Sequence, residues 1–381
     1  MIGLSGARIV TPTGVVEDRV LMLDGDRIAG LLPEPPPGEC EMHDLRGGWL
    51  LPGFIDTQVN GGGDVLLNDR PTLDGVRTIA AAHRRFGTTG LLPTLVSGDL
   101  ALIAATLEAI DAAIAAGVPG VLGAHIEGPF IALAKRGIHP AASLRPLDEE
   151  ALDLLCRPRR GARVVTLAPE LAPPGAIARL RAAGVIVAAG HSMADYETSR
   201  AAIAEGLCGF THLFNAMTPL TSREPGMVGA ALDDRRTIFG LIADGEHVHP
   251  ASLRAAIRAR GEDGAMLVTD AMPPVGGSAQ SFDLGEAHVM VRGGRLVDAT
   301  GTLGGSLLTM AQALRNARDL IGLPIETASR LASGNPARFL DMDGQRGAIA
   351  PGLAADLVHL DENLRVTATW IAGARNDMGE V

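Results

Sequence analysis

The chain has 381 residues, 46% hydrophobic and 20% charged, enough for one large core with a smaller domain beside it. Its formal net charge of −11 argues against a nucleic-acid partner, so any anionic ligand must be met by local cations. Three widely spaced cysteines, Cys40, Cys156 and Cys208, exclude a disulfide framework and a Cys-based zinc site, and they fit a reducing compartment. The first residues lack a basic region followed by an apolar stretch, so no signal peptide is expected. The alanine-rich stretch 99–117 carries Glu108 and Asp111 and reads as a soluble helix, not a membrane span. A cytoplasmic protein without membrane contact is expected.

In chain order, residues 7–10, 20–23 and 27–31 read as strands, with a hairpin turn at Asp24-Gly25-Asp26. Residues 33–38 read as a proline-rich loop. Eight further strands are expected to start near Gly53, Thr88, Gly120, Arg163, Val185, Gly209, Ile238 and Ala265. Amphipathic stretches at 73–86, 100–116, 176–183 and 196–205 lie between several of them. That rhythm predicts a (β/α)₈ TIM barrel. A Gly-rich segment, 273–305, breaks the rhythm and carries a hairpin at 287–291 and 295–297 around Gly293-Gly294. Residues 356–360 and 366–371 again read as strands. All-β ends around an α/β middle predict a small β-sandwich domain built from both termini, residues 1–50 and 346–381, with the barrel over 51–345.

Four of the barrel runs end in a metal-capable or acidic residue. Glu127 follows Val121 to Ile126, and His191 follows Val185 to Gly190. His212 follows Gly209-Phe210-Thr211, and Asp270 follows Met266 to Thr269. The C-terminal ends of barrel strands converge on one rim, where such enzymes place their chemistry. Two imidazoles and a carboxylate leave an open position on a divalent metal. A separate Asp nearby moves protons. Taken singly, each residue has a plainer reading: a surface acid for Glu127, a structural histidine for His191 or His212, a helix cap for Asp270.

The surrounding motifs add a resemblance. Pro52-Gly53-Phe54-Ile55-Asp56-Thr57-Gln58-Val59-Asn60-Gly61 is similar to the first barrel strand of the amidohydrolase superfamily. Gln58 and Asn60 stand where many members carry two metal-binding histidines. His125-Ile126-Glu127-Gly128-Pro129-Phe130, Lys135-Arg136-Gly137-Ile138-His139, Ala189-Gly190-His191-Ser192, Thr211-His212-Leu213-Phe214-Asn215-Ala216-Met217 and Val268-Thr269-Asp270 follow in order. Together they resemble the N-acetylglucosamine-6-phosphate deacetylase branch over nearly the whole chain.

The resemblance implies hydrolysis of the acetamide of N-acetylglucosamine 6-phosphate, giving glucosamine 6-phosphate and acetate, with N-acetylgalactosamine 6-phosphate as the alternative substrate. It implies one divalent metal per chain, zinc before iron, cobalt, manganese or cadmium, held by Glu127, His191 and His212. Gln58 and Asn60 are then replaced second-metal positions. Asp270 is implied as the proton-transfer residue and His139 as the group on the substrate carbonyl. Asn215, Ala216, Arg223 and His247 are implied as phosphate contacts, with Leu303 and Gly304 on a closing loop. A homodimer is implied, in which Arg223 and His247 serve either their own site or the neighbour's. Read without the resemblance, His139 is an exposed loop histidine and Arg223 pairs with Glu224 or Asp233. His125 is either a partner to the metal ligands or a packed histidine. Two other classes compete: a cyclic-amidase or dipeptidase type of amidohydrolase, which usually keeps the histidine pair, and a catalytically dead barrel, which should have lost the ligands or Asp270.

Overall fold

A computed structural model describes residues 1–35 and 40–377; residues 36–38 of the expected proline-rich loop lie outside them. Eight parallel strands form one sheet in chain order: β1 Phe54–Val59, β2 Thr88–Val96, β3 Gly123–Glu127, β4 Ala162–Leu167, β5 Ile186–Ala189, β6 Gly209–Phe210, β7 Ile238–Ile242 and β8 Ala265–Val268. Most of their residues are buried on both faces, which is why the sequence shows apolar runs in place of alternation. The sheet closes where Asp270 N–H donates to the Gln58 carbonyl at 3.0 Å and Asn60 N–H donates to that of Ala271 at 2.9 Å. The seam of the barrel thus joins Gln58 and Asn60 to Asp270.

The helices start where side chains satisfy their free N–H groups. Thr72, Asp99 and Asp195 cap Leu73–Arg84, Leu100–Ala115 and Tyr196–Glu205. The first ends two residues before the expected 86, because the chain must turn through Gly87, at φ +87°, into β2. Among the described residues no helix is long and apolar enough to cross a membrane.

Two further sheets come from the chain ends. One is six-stranded, with Trp49–Pro52 between Leu357–Leu360 and Arg8–Thr11; the other is four-stranded and contains Ile2–Ser5 and Val20–Asp24. Leu4, Ile9, Leu21, Ile28, Leu50, Leu357 and Trp370 form a core of their own between them. We propose the domain division at 1–50 with 346–381, and 51–345, on the strength of that separate core; Trp49–Pro52 runs across the boundary as the shared strand. Ser281–Leu284, Ala287–Arg292 and Arg295–Val297 make a three-stranded antiparallel sheet, one strand more than the expected hairpin. Its Leu284, Val289 and Leu296 pack on Ile138 and Met272, so the sheet leans on the barrel rim.

Trp370 is fully buried in the terminal core. Trp370→Ala should lower the unfolding free energy by about 3–5 kcal/mol, measured by denaturant titration. A loss below about 1 kcal/mol would mean that this core contributes little to stability.

Candidate active site

His191, His212 and Asp270 each sit just past a strand end, at φ 50°, 33° and 53°. This left-handed conformation costs a non-glycine residue on the order of 1–3 kcal/mol. It turns the chain sharply off the strand and aims the side chain over the barrel mouth. Glu127 ends β3 itself, and Gly128 carries the turn at φ +75°. A Cβ on Gly128 would lie 2.4 Å from Ser97 Oγ, so only glycine fits there.

The four side chains meet. Glu127 Oε1 lies 3.2 Å from His191 Nε2 and 3.0 Å from His212 Nε2, and the two imidazole nitrogens are 3.0 Å apart. His191 Nδ1–H donates to the Lys135 carbonyl at 2.7 Å, which leaves Nε2 of the neutral ring bare. His212 Nδ1 is buried without a partner. The bare His191 Nε2 and Glu127 oxygen repel one another unless a proton or a cation lies among these atoms. Tetrahedral zinc with bonds of about 2.0–2.1 Å has ligand–ligand edges of about 3.3 Å, close to the spacing here. The donor set therefore fits a metal.

Gln58 and Asn60 sit beside it. Gln58 Nε2 is 3.1 Å from both Glu127 oxygens and 3.1 Å from Asp270 Oδ1. Asn60 Nδ2 donates to Asp270 Oδ1 at 2.6 Å. Their amide hydrogens thus fill the space between the carboxylates where a second cation would otherwise stand.

His139 is buried, with Nδ1 2.7 Å from Ser97 Oγ. Its ligand atom, with those of Glu127 and His191, falls in one group spanning 4.8 Å, so His139 rivals His212 as third ligand. Ser97 decides between these roles. If its hydroxyl donates to Nδ1, then Nε2–H faces the cavity as a donor; if it accepts from Nδ1–H, then Nε2 is bare. The other acceptor within reach of that hydroxyl, the Glu127 carbonyl, is 3.5 Å away. The shorter contact favours donation to His139 and leaves Nε2–H for a substrate. Ser97 was missed in the sequence, although it too ends a buried apolar run.

Burial opposes charge throughout. Ionisation of Glu127 is penalised by burial, but the adjoining His191 and His212 outweigh this and hold it well below the usual carboxylate range. Asp270 is pushed up to about 6, first by burial and then by the charge of Glu127. His139 is driven well below the usual imidazole range by burial and by His191.

The cavity over these groups is about 490 Å³ and is also lined by Lys135, Asn215, Ala216, His247 and Leu303. A hollow of about 610 Å³ lies elsewhere and one of about 760 Å³ adjoins the site at Gly137, Ile138 and Thr302, but neither holds such convergent chemistry, which is the better guide. His247 Nδ1 is tied to Asp244 at 2.6 Å. Gly304 does not line the cavity; it packs against Ile138 and Val289, and Gly305 takes its place at the wall. Arg223 is exposed and lies outside the cavity, without an ion pair to Glu224 or Asp233. His125 is packed, bonded to the Thr57 carbonyl and to Thr166 Oγ1 at 3.0 and 2.8 Å.

The profile of the amidohydrolase family matches residues 49–376. An N-acetylgalactosamine-6-phosphate deacetylase of Shewanella sp. (strain ANA-3) is 44% identical, over 98% of this chain and 95% of that one. An N-acetylglucosamine-6-phosphate deacetylase of Bos taurus is 41% identical, over 87% and 84%. A solved N-acetyl-D-glucosamine-6-phosphate deacetylase of Mycobacterium smegmatis, an aspartate-to-alanine mutant in complex with N-acetyl-D-glucosamine-6-phosphate, is 34% identical with a TM-score of 0.89, covering 98% of each chain.

The raised Asp270 has a cost in the metal-free protein. An unfolded Asp ionises near 3.8 and the native one near 6. The native state therefore holds its proton more tightly, and this stability is full below pH about 4 and lost as pH rises through 6. Metal-free Asp270→Asn should be more stable than metal-free wild type at pH 8, by roughly 2–3 kcal/mol, and the gap should close below pH 4. Denaturant titrations across that range check it; a gap of the opposite sign at pH 8 would contradict it.

Proposed function

The chain belongs to the amidohydrolase family, and from that premise we propose that it is a metal-dependent deacetylase of N-acetylglucosamine 6-phosphate, releasing acetate and glucosamine 6-phosphate. The carrying observation is the convergence of Glu127, His191 and His212 within 3.2 Å, with Asp270 bound to the same Gln58 amide. The 34% identical relative in complex with that sugar phosphate supports the substrate class.

Glu127, His191 and His212 would hold one divalent ion, zinc as first choice, which when bound lowers the pKa of a water and places positive charge beside the acetyl oxygen. Asp270 takes the proton of the water that adds to the carbonyl carbon. It then gives the proton to the amide nitrogen as the C–N bond breaks, so the amine does not leave as an anion. Its raised pKa suits both halves of that exchange. His139, with Nε2–H facing the cavity, donates to the carbonyl oxygen as negative charge grows there. Gln58 and Asn60 hold Asp270 in place. Asn215, Ala216 and His247, which line the cavity, would meet the phosphate. Arg223 lies outside its own cavity, and we place it at the neighbouring site of a cytoplasmic homodimer.

The 44% identical Shewanella relative favours a second reading, in which the N-acetylgalactosamine ester is preferred. Acetate release from both phosphorylated hexosamines and their unphosphorylated forms decides. Faster release from the gluco ester supports the first reading, faster release from the galacto ester the second, and none from either contradicts both.

Single substitutions separate the ligand sets. His212→Ala should lose metal and activity together. His139→Ala should keep its metal and lose about 10²–10³ in kcat, as for removal of one oxyanion donor. Metal analysis with turnover on the same samples checks this; the reverse pattern would make His139 the ligand.

Arg223→Ala should lower kcat/KM for the phosphorylated sugar about ten- to a hundredfold, the worth of a charge-assisted guanidinium–phosphate contact of roughly 1.5–3 kcal/mol. The unphosphorylated sugar should be almost unaffected. Equal losses on the two would remove Arg223 from phosphate recognition.

A further inference from the structure

At the opposite end of the barrel a cavity of about 520 Å³ is lined by Arg181, Arg235, Arg236, Arg260 and Arg338. Cys208, Thr237 and Gly264, which immediately precede β6, β7 and β8, form its floor. The catalytic groups leave the other ends of the strands, roughly 15 Å away along a five-residue strand.

Two of the five guanidinium groups are met by carboxylates. Arg236 forks onto Asp234 at 2.6 Å, and Arg338 lies 3.9 Å from Asp263. The other three are not. Arg181 donates to the Val185 carbonyl at 3.2 Å. Arg235 has no hydrogen-bond or ion-pair partner among the described residues. Arg260 is 5% exposed. It donates to the Ala231 carbonyl at 2.5 Å and to that of Thr237 at 2.6 Å, yet its Nε is buried with no partner. Burial weakens its hold on charge, with Asp234 opposing and Arg235 adding to that effect.

Against the five arginines stand Glu262, Asp263 and Asp341 in the lining and Asp234 on Arg236, leaving one positive charge at this hollow in a chain of net charge −11. Unpaired guanidinium groups around one hollow repel one another, and a compact dianion relieves the repulsion. Guanidinium forks match phosphate oxygens in pairs. We propose that this cavity is a second, non-catalytic anion site that takes a phosphate group, free or as a small ester. The inference does not depend on which substrate the barrel mouth takes.

Equilibrium dialysis at low ionic strength tests it, with radiolabelled inorganic phosphate and separately with glucosamine 6-phosphate. The Arg181→Ala/Arg235→Ala protein should bind at least one of them tenfold or more weakly at one class of site, with its turnover and phosphate-free melting temperature unchanged. Weakening of both shows a site for phosphate in either form. Weakening of inorganic phosphate alone shows a site for the free ion, and weakening of the ester alone shows a site that also reads the sugar. An Arg19→Ala/Arg77→Ala control removes two exposed arginines elsewhere and should change nothing. Unchanged affinities in the cavity variant, or an equal drop in the control, would overturn the proposal.

Discussion

The architecture of the barrel mouth rests on two buried carboxylates that share one amide. Gln58 Nε2 touches both Glu127 and Asp270 at 3.1 Å, so the nearest oxygens are no farther apart than about 6 Å. Two negative charges at that distance repel by roughly 3 kcal/mol at an effective dielectric constant near 20. Amide hydrogens relieve part of this and leave the rest for a cation. The same crowding lifts Asp270 toward 6 while the two histidines hold Glu127 low. One pair of acids is thereby divided into a permanent anion and a proton carrier.

The fold supplies the positions. Barrel closure bonds Gln58 and Asn60 to the Asp270 segment through the backbone, so the residues that tune Asp270 are fixed by the seam itself. The strained turns at His191, His212 and Asp270 lie in the same layer. A strand end that required only a turn would take glycine; these positions keep chemically active side chains at a conformational cost. The Ser97–Glu127–His139 contacts extend the order one layer outward.

Much of this was legible in the sequence because buried parallel strands write themselves as apolar runs, and a polar residue ending such a run stands out. Seven of the eight expected strand starts fall within one residue of the observed ones. The exception, Gly120 against Gly123, reflects a turn before β3 that is as apolar as the strand. Glu127, His191, His212 and Asp270 were found by that signal, and Ser97 carried it unnoticed. What linear order cannot encode is which side of a loop faces inward. Gly304 and Gly305 read alike, yet only the second reaches the cavity wall. His125, read as either a partner to the metal ligands or a packed histidine, is locked between Thr57 and Thr166, while His139, read without the resemblance as an exposed loop histidine, is buried. The hairpin of Gly61–Gly62 with Val65–Leu66 was hidden in a glycine run. Arg223 is exposed and lies outside the cavity, which its place in the sequence did not show.

If the Gln58 and Asn60 amides stand in for a second cation, the metal-loaded protein holds a single ion per chain. Anomalous diffraction from crystals of the metal-loaded protein, with elemental analysis of the same batch, tests it most directly. One ion per chain is expected, among Glu127 Oε1, His191 Nε2 and His212 Nε2, with both amides still bonded to Asp270. A second tightly bound ion between Asp270 and the ends of Gln58 and Asn60 would contradict it.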